Sequence, residues 1–150
     1  MMIWLDMDGT IANLYGVNEW LKALEAESVR PYIEAKGMVN LQVLARRLNR
    51  LINKGYEIGI VSWTAKNGSE AYNKAVAEAK HRWLKEHLAS VKFEQIEIIP
   101  YGTPKSINRE GILFDDEEAN RNEWGYNEKR YAMEAEGILE ALKVIEALQL

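Results

Sequence analysis

The residue types that could do chemistry gather behind short apolar runs of the sequence. Three of these runs end directly in a reactive polar side chain, namely Asp6, Ser62 and Asp115. A fourth run reaches Lys105 after a short loop. In an open α/β sheet, ligands bind beyond the carboxyl ends of the strands. The sequence therefore predicts that these four side chains share one site.

Two further carboxylates accompany this set. Asp8 follows Asp6 by two residues, and residues at that spacing in an extended segment point the same way. Gly9 then lets the chain turn away sharply. Asp116 adds its charge beside Asp115. Because clustered carboxylates repel, the pKa of one of them would rise unless a cation were bound. Oxygen ligands of this kind suit a hard divalent ion, and Mg²⁺ is predicted.

Phosphoryl transfer is the chemistry that suits these parts. It needs an in-line nucleophile, a proton donor for the leaving oxygen, and positive charge on the transferring oxygens. A bound cation also removes the repulsion between an anionic phosphate and a carboxylate nucleophile. Lys105 fits an anion site, because Thr103 and Pro104 predict the start of a helix, and helix N-termini favour anions.

Each of these residues also has a plain structural interpretation. An Asp after a strand often caps a helix or forms a turn, and residues 115–118 could be only the acidic first turn of a helix. Ser62 could merely end a strand, and Lys105 could be a solvated surface residue. The conjunction of all of them at strand ends favours the shared site.

The elements that must position these residues alternate between strand and helix. Apolar runs that suit buried parallel strands occupy residues 2–5, 56–61, 96–99 and 112–114, and a short edge strand is predicted around 130–133. Helical spacing of apolar residues spans 41–52, 72–83 and 138–145; Asn40 is placed as the N-cap of the first stretch, and the second stretch follows Ser69. This alternation predicts an α/β fold, a three-layer Rossmann-like sandwich around a mostly parallel central sheet.

One stretch departs from the alternation. Residues 12–35 contain a loop, a helical piece and Arg30-Pro31, which is too little for a second domain with its own core. We predict a single domain over residues 1–150 with a small cap or lid at 12–35. Tyr15, Trp20 and Tyr32 of this stretch, with Trp63, could stack a nucleobase or could simply pack the cap onto the core.

Length and composition limit the partners. The chain has 150 residues, 47% of them hydrophobic and 28% charged, with a net charge of −4 and no cysteine. An acidic chain is a poor candidate for charge-driven nucleic-acid binding. No apolar run approaches the length of a membrane span. We expect a soluble cytoplasmic protein with a small phosphorylated substrate and no membrane partner; the sequence does not indicate an oligomeric state.

The motifs resemble those of the haloacid dehalogenase superfamily. Its signature Asp-x-Asp-Gly-Thr/Val stands here as residues 6–10, and its strand ending in Ser or Thr is matched by residues 58–62. Its lysine after the next strand is matched by Lys105, and its acidic pair by Asp115 and Asp116. The resemblance implies a Rossmann-like α/β sandwich with an optional cap.

The resemblance also implies how the matched residues would act. Asp6 would be the nucleophile that forms an aspartyl-phosphate. Asp8 would first protonate the leaving group and then activate water, and an Asp at this second position is typical of the phosphatases. Ser62 and Lys105 would bind the phosphoryl oxygens.

A metal site follows from the same likeness. Mg²⁺ would be held by the Asp6 carboxylate, the Asp8 main-chain carbonyl and Asp115, with Asp116 helping directly or through water. The small deoxyribonucleotidases and the polynucleotide 3′-phosphatases are the branches that look closest, through Asp-Met-Asp-Gly and the acidic pair.

The leading hypothesis is a Mg²⁺-dependent phosphomonoesterase that acts on a small phosphorylated metabolite, with a nucleotide as one candidate. One alternative is a non-catalytic module that binds phosphate or metal. The other is a phosphatase of nucleic-acid 3′ ends, for which Arg46, Arg47 and Arg50 would have to lie beside the site.

Overall fold

A computed structural model describes residues 1–148 of the protein. The strands in this part of the chain are Met2–Leu5 (β1), Ala12–Asn13 (β2), Lys36–Gly37 (β3), Glu57–Trp63 (β4), Gln95–Ile99 (β5), Gly111–Asp115 (β6) and Arg130–Glu134 (β7). The α-helices are Trp20–Glu25 (α1), Arg30–Glu34 (α2), Leu41–Asn53 (α3), Glu70–His87 (α4), Glu118–Trp124 (α5) and Ile138–Ala147 (α6). None of the helices within residues 1–148 is long and apolar enough to cross a membrane.

The central sheet has five strands in the order β5-β4-β1-β6-β7. All four neighbouring pairs are parallel, and parallel neighbours require crossover connections. The predicted parallel α/β architecture is therefore confirmed, and so is the edge strand predicted around 130–133, which is β7. Because β1 is central, its carboxyl end lies between those of β4 and β6.

The two faces of the sheet carry different helices. Ile3 and Leu5 of β1 are buried in the larger core, together with apolar residues of α3, α4 and α6. Trp4 points to the opposite face, where it packs with Trp124 of α5. Both tryptophans satisfy their indole nitrogens inside the protein: Trp4 Nε1 donates to the Glu110 carbonyl at 3.0 Å, and Trp124 Nε1 to Gly111 at 3.1 Å. Helices on both faces give the three predicted layers.

The predicted helix cap at Asn40 is present, and Ser69 caps α4. Asn40 Oδ1 accepts hydrogen bonds from the backbone nitrogens of Gln42 and Val43, at 3.0 and 3.1 Å. Ser69 Oγ accepts from the backbone nitrogen of Tyr72 at 3.1 Å. A cap of this kind is worth about 1 kcal/mol to a helix, because it satisfies an otherwise unpaired backbone donor. These caps fix where α3 and α4 begin.

The segment between β2 and β3 forms a separate layer on α4. β2 and β3 pair antiparallel, which closes the base of the segment. Leu14 and Tyr32 pack against Tyr72 and Val76 of α4. The Tyr72 hydroxyl also donates to the Ser28 carbonyl at 2.8 Å. The segment predicted as a cap is thus a small apolar unit attached to one helix.

The prediction of a helix that begins at Thr103 and Pro104 is wrong. Residues 105–108 form turns, and the Thr103 hydroxyl donates to the Pro100 carbonyl at 2.7 Å instead of capping a helix. Asn108 adopts a left-handed conformation with φ of 58°, which an α-helix does not accommodate. The chain then enters β6 at Gly111, so too few residues remain for a stable helix.

Candidate active site

The predicted site residues converge at the carboxyl edge of the sheet. Asp6 directly follows β1, Ser62 is the penultimate residue of β4, and Asp115 is the last residue of β6. These are the three central strands, so their ends are neighbours. Lys105 reaches the same place from the turns before β6. The structure therefore brings together the side chains that the sequence predicted to share a site.

Lys105 is an ammonium group held between two carboxylates. Its Nζ donates to Asp6 Oδ1 at 2.9 Å and to Asp115 Oδ2 at 2.7 Å, and the side chain is 2% exposed. Burial alone would lower the pKa of Lys105, but the charges of Asp6 and Asp115 outweigh it and raise that pKa. Thr10 Oγ1 donates to Asp6 Oδ2 at 3.1 Å. Both carboxylate oxygens of Asp6 are thus oriented by named donors.

Gly9 lets the first acidic segment approach the second. Its φ is +82°, in the left-handed region that favours glycine. A Cβ atom at this position would lie 2.2 Å from Asp116 Oδ2. No side chain other than hydrogen fits both conditions. The glycine of the signature therefore brings Asp116 close to Asp6.

Three of the carboxylates form a set that fits a divalent cation. Oxygen atoms of Asp6, Asp115 and Asp116 all lie within 4.8 Å of one another. Oxygens around one Mg²⁺, at about 2.1 Å from the ion, are at most about 4.2 Å apart, so the set needs only a small adjustment. Burial and the Asp6 charge raise the pKa of Asp115 to about 6 and that of Asp116 to about 8. A cation would relieve this repulsion.

Asp115 is held by the start of the following helix. Its Oδ1 accepts from the Glu117 backbone nitrogen at 2.9 Å, and its Oδ2 accepts from Asn120 Nδ2 at 3.2 Å. The plain interpretation of this residue as a turn former is therefore also correct. The same hydrogen bonds fix the carboxylate that faces Asp6, so the turn also positions this member of the acidic cluster.

Asp8 lies beside this cluster, and its carboxylate is paired with a lysine that sequence reasoning missed. Lys80 Nζ donates to Asp8 Oδ2 at 2.8 Å, and Lys80 is 1% exposed. Burial raises the pKa of Asp8, an effect that Lys80 partly counteracts. A signal for Lys80 was present: it lies four residues from both Val76 and Leu84, on the buried stripe of α4.

A cavity of about 570 Å³ opens over these groups. Its lining includes the polar side chains of Asp6, Asp8, Ser62 and Lys105. The rest of its lining includes the charged side chains Glu25, Glu27, Lys66 and Glu117. It also includes five aromatic side chains: Tyr15, Trp20 and Tyr32 of the 12–35 segment, Trp63 at the end of β4, and Tyr101 after β5. The candidate site thus combines a charged end with partly aromatic walls.

The aromatic residues of the cavity differ in how firmly they are held. Trp63 Nε1 donates to the Thr103 carbonyl at 2.8 Å, and its ring centroid lies 4.8 Å from that of Tyr101. Tyr32 is 5% exposed. By contrast, Tyr15 is 46% exposed and contacts Trp20 edge to face at 4.9 Å. Packing accounts for Tyr32, and a hydrogen bond holds Trp63, whereas Tyr15 is exposed and Trp20 is half-buried beside it.

The arginines that a nucleic-acid site would need lie on α3 and do not line this cavity. Arg50 pairs with Glu146 of α6 at 2.7 Å, and Arg46 is exposed. No basic patch formed by Arg46, Arg47 and Arg50 accompanies the candidate site.

Comparison with family models and with curated protein sequences yields no match. Solved structures do match. D,D-heptose 1,7-bisphosphate phosphatase from Burkholderia thailandensis superposes with a TM-score of 0.54 at 13% identity, covering 95% of this chain and 97% of that one. The corresponding phosphatase from B. bronchiseptica, complexed with magnesium and phosphate, gives 0.56 at 12% identity, covering 96% and 98%.

These neighbours are phosphatases of the haloacid dehalogenase superfamily. At this level of identity the likeness shows the fold, and it extends over nearly the whole chain. The predicted Rossmann-like sandwich is confirmed.

Proposed function

We propose that this chain is a Mg²⁺-dependent phosphomonoesterase that works through an aspartyl-phosphate on Asp6. The observation that carries the proposal is the placement of Lys105 between Asp6 and Asp115, at 2.9 and 2.7 Å, where the cavity meets the carboxyl edge of the sheet. A nucleophilic carboxylate, a fixed positive charge and an acidic cluster thus share one small volume.

Asp6 is suited to attack phosphorus. Lys105 Nζ and Thr10 Oγ1 fix the orientation of its carboxylate, so little reorganisation precedes the reaction. Attack forms a bond between an Asp6 oxygen and phosphorus and breaks the bond to the ester oxygen. Water then attacks the same phosphorus, which releases inorganic phosphate and regenerates Asp6.

Asp8 is suited to move the protons. Its carboxyl lines the cavity two residues beyond Asp6. Because burial raises the pKa of Asp8, this carboxyl is protonated more readily than an exposed carboxyl. In the first step it donates its proton to the leaving oxygen, and in the second it takes a proton from the attacking water. One residue therefore serves as acid and then as base.

Ser62 and Lys105 are suited to hold the phosphoryl oxygens. Ser62 Oγ accepts from Lys80 Nζ at 2.8 Å, which leaves the hydroxyl proton of Ser62 to donate towards the substrate. Lys105 provides a buried positive charge on the other side of Asp6. Donors that are fixed before the substrate arrives stabilise the charge that develops on the transferring group.

The acidic cluster of Asp6, Asp115 and Asp116 would hold Mg²⁺ through side-chain oxygens, and Asp8 would add its main-chain carbonyl. When bound, the ion supplies Lewis-acid stabilisation of the phosphoryl charge and removes the repulsion between substrate and nucleophile. The close spacing of the three carboxylates supports this assignment.

The substrate class is a small phosphorylated metabolite. A cavity of about 570 Å³ accommodates a phosphate with one compact organic group. The 12–35 segment forms part of its wall and would act as a fixed cap. The structural neighbours are named for a sugar bisphosphate, and the exposed ring of Tyr15 with the half-buried ring of Trp20 is compatible with a nucleobase. We propose a cytoplasmic location, with which the cysteine-free sequence is compatible.

The test is turnover of 4-nitrophenyl phosphate by the wild-type chain with Mg²⁺, with EDTA, and by Asp6→Asn. We expect hydrolysis only by the wild type with Mg²⁺, and a phosphorylated adduct in the acid-quenched wild type that Asp6→Asn lacks. Glu57→Gln, at the opposite end of the neighbouring strand β4, is the matched control and should retain activity. Hydrolysis by Asp6→Asn at the wild-type rate would refute the covalent mechanism.

The alternatives predict different results. A non-catalytic module would bind phosphate and Mg²⁺ without hydrolysing any ester. A nucleic-acid phosphatase would bind an oligonucleotide in a strongly salt-sensitive manner; the placement of the three α3 arginines away from the cavity speaks against that reading.

A further inference from the structure

A second buried lysine contacts Asp8, the proposed acid–base residue, from outside the cavity. Lys80 lies in the middle of α4, and its Nζ donates to Asp8 Oδ2 at 2.8 Å, to Ser62 Oγ at 2.8 Å and to the Trp63 carbonyl at 2.6 Å. An ammonium group has three protons. All three are therefore used by groups of the protein.

The position of Lys80 separates its role from that of Lys105. Lys105 lines the cavity, whereas Lys80 is absent from the lining and is 1% exposed. The Tyr32 ring covers the ammonium group, with its centroid 5.3 Å from Nζ. Lys80 has neither the access nor a free proton to contact a phosphoryl oxygen.

Lys80 connects two parts of the site that come from different strands. Within residues 1–148, it is the only side chain that donates a hydrogen bond to the Asp8 carboxylate. It also fixes the oxygen of Ser62, the last buried residue of β4. A buried ammonium is favourable only when its partners hold it, and the same contacts hold the partners.

We propose that Lys80 is a positioning residue that holds the Asp8 carboxyl where it protonates the leaving group and orients the Ser62 hydroxyl towards the phosphate. This inference rests on the proposed function. Lys80 acts through Asp8 and Ser62 and does not touch the substrate. Without it, the Asp8 side chain has no fixed partner, and proton donation to the ester oxygen is misaligned.

The test compares two esters by kcat/KM, which reports the steps up to departure of the leaving group. 4-Nitrophenyl phosphate has an acidic leaving group that needs little protonation, whereas an alkyl phosphate depends on it. We expect Lys80→Met to lower kcat/KM by about 10²-fold for the alkyl ester and by less than about tenfold for the nitrophenyl ester. Asp8→Asn supplies the reference profile, and Lys74→Met, an exposed lysine of the same helix, is the matched control.

Rescue separates positioning from a purely structural role. Because the chain has no cysteine, Lys80→Cys can be alkylated with 2-bromoethylamine in the unfolded state and refolded, which restores an ammonium at nearly the original length. Wild type treated in the same way controls for the procedure. We expect alkylation to restore the wild-type ratio of the two kcat/KM values.

The outcomes distinguish the two proposals. Equal losses on both esters, no loss, or failure of the restored ammonium to recover the ratio in a folded protein would each overturn the role of Lys80. If the wild type hydrolyses neither ester, the proposed function itself is refuted. The ¹H–¹⁵N signal of the Lys80 ammonium is a readout independent of turnover: it should vanish in Lys80→Met and shift in Asp8→Asn, and a signal that Asp8→Asn leaves unmoved contradicts the contact.

Discussion

The pH dependence of Mg²⁺ stabilisation is the most quantitative consequence of the acidic cluster. Burial and the Asp6 charge raise the pKa of Asp115 from 3.8 to about 6. A carboxyl whose pKa is raised on folding destabilises the folded state once it ionises. This cost is absent below the ordinary pKa and complete above about pH 6. The metal-free protein should therefore lose stability as the pH rises through this window.

The size of the effect follows from the shift. About two pKa units at about 1.36 kcal/mol each give a cost of about 3 kcal/mol for the fully buried Asp115. Asp116 is exposed, so its shift to a pKa of about 8 extends the direction of the effect to higher pH without a comparable energy. Mg²⁺ requires both carboxylates in their ionised form, so its binding releases protons and tightens as the pH rises.

We expect Mg²⁺ at about 100 times its dissociation constant to add about 2.7 kcal/mol near pH 8. For a protein of this length that is a rise in Tm of roughly 5–11 °C, and the same Mg²⁺ concentration near pH 5 should give roughly 2 °C or less. Thermal melts followed by circular dichroism measure both values. NaCl of equal ionic strength is the control for screening, and Asp116→Asn should flatten the dependence. Equal shifts at both pH values, or no shift at pH 8, would show that the cluster does not bind the metal.

Two further predictions concern the turn and the cavity wall. Gly9→Ala should lower the free energy of unfolding by about 1–3 kcal/mol and abolish the rise in Tm that Mg²⁺ causes, because its Cβ meets Asp116 at 2.2 Å. Gly137→Ala is the control, because this glycine has φ of +78° but open space around it, and it should keep the rise in Tm with Mg²⁺. Denaturant and thermal melts measure both effects. If the substrate is a nucleotide, Trp20→Ala should raise the KM for a nucleoside monophosphate by about tenfold and leave that for a sugar phosphate unchanged; parallel changes in steady-state assays would contradict base stacking.

The parts of the fold that the sequence predicted are those set by local patterns. Strand β1 ends at Leu5, as its apolar run indicates, and α3 and α4 begin after the caps Asn40 and Ser69. Each of these limits depends on residues within a few positions, so one window of sequence contains the cause. The order β5-β4-β1-β6-β7 is not set by these patterns, because right-handed crossovers allow several orders of parallel strands.

The prediction of a helix after Thr103 was wrong because its outcome depends on contacts outside the local sequence. Thr103 and Pro104 form a sound start signal, but the signal says nothing about continuation. Asn108 turns left-handed, and the Arg109 side chain pairs with Glu97 of β5, the preceding strand in the chain. That contact joins residues distant in the sequence, and no local pattern shows it. Lys105 therefore reaches the site from a turn and not from the predicted helix.

Lys80 was missed because its meaning depends on the partners that the fold supplies. A lysine on a helix is usually solvated, and only its position on the buried stripe of α4 indicated otherwise. Asp8 lies 72 residues away and Ser62 lies 18 residues away. The acidic members of the site stand in recognisable motifs, whereas the basic member that balances one of them does not.

The charges of the site explain why both lysines are buried there. The carboxylates of Asp6, Asp8, Asp115 and Asp116 face the ammonium groups of Lys80 and Lys105. With Asp8 protonated, as its role as the acid requires, three negative charges meet two positive ones, and a divalent cation more than balances the remaining excess. The lysines therefore neutralise the interior of the cluster, and the metal would neutralise its exposed side at Asp116. A phosphate dianion would then approach a site without net negative charge, which favours attack by a carboxylate nucleophile.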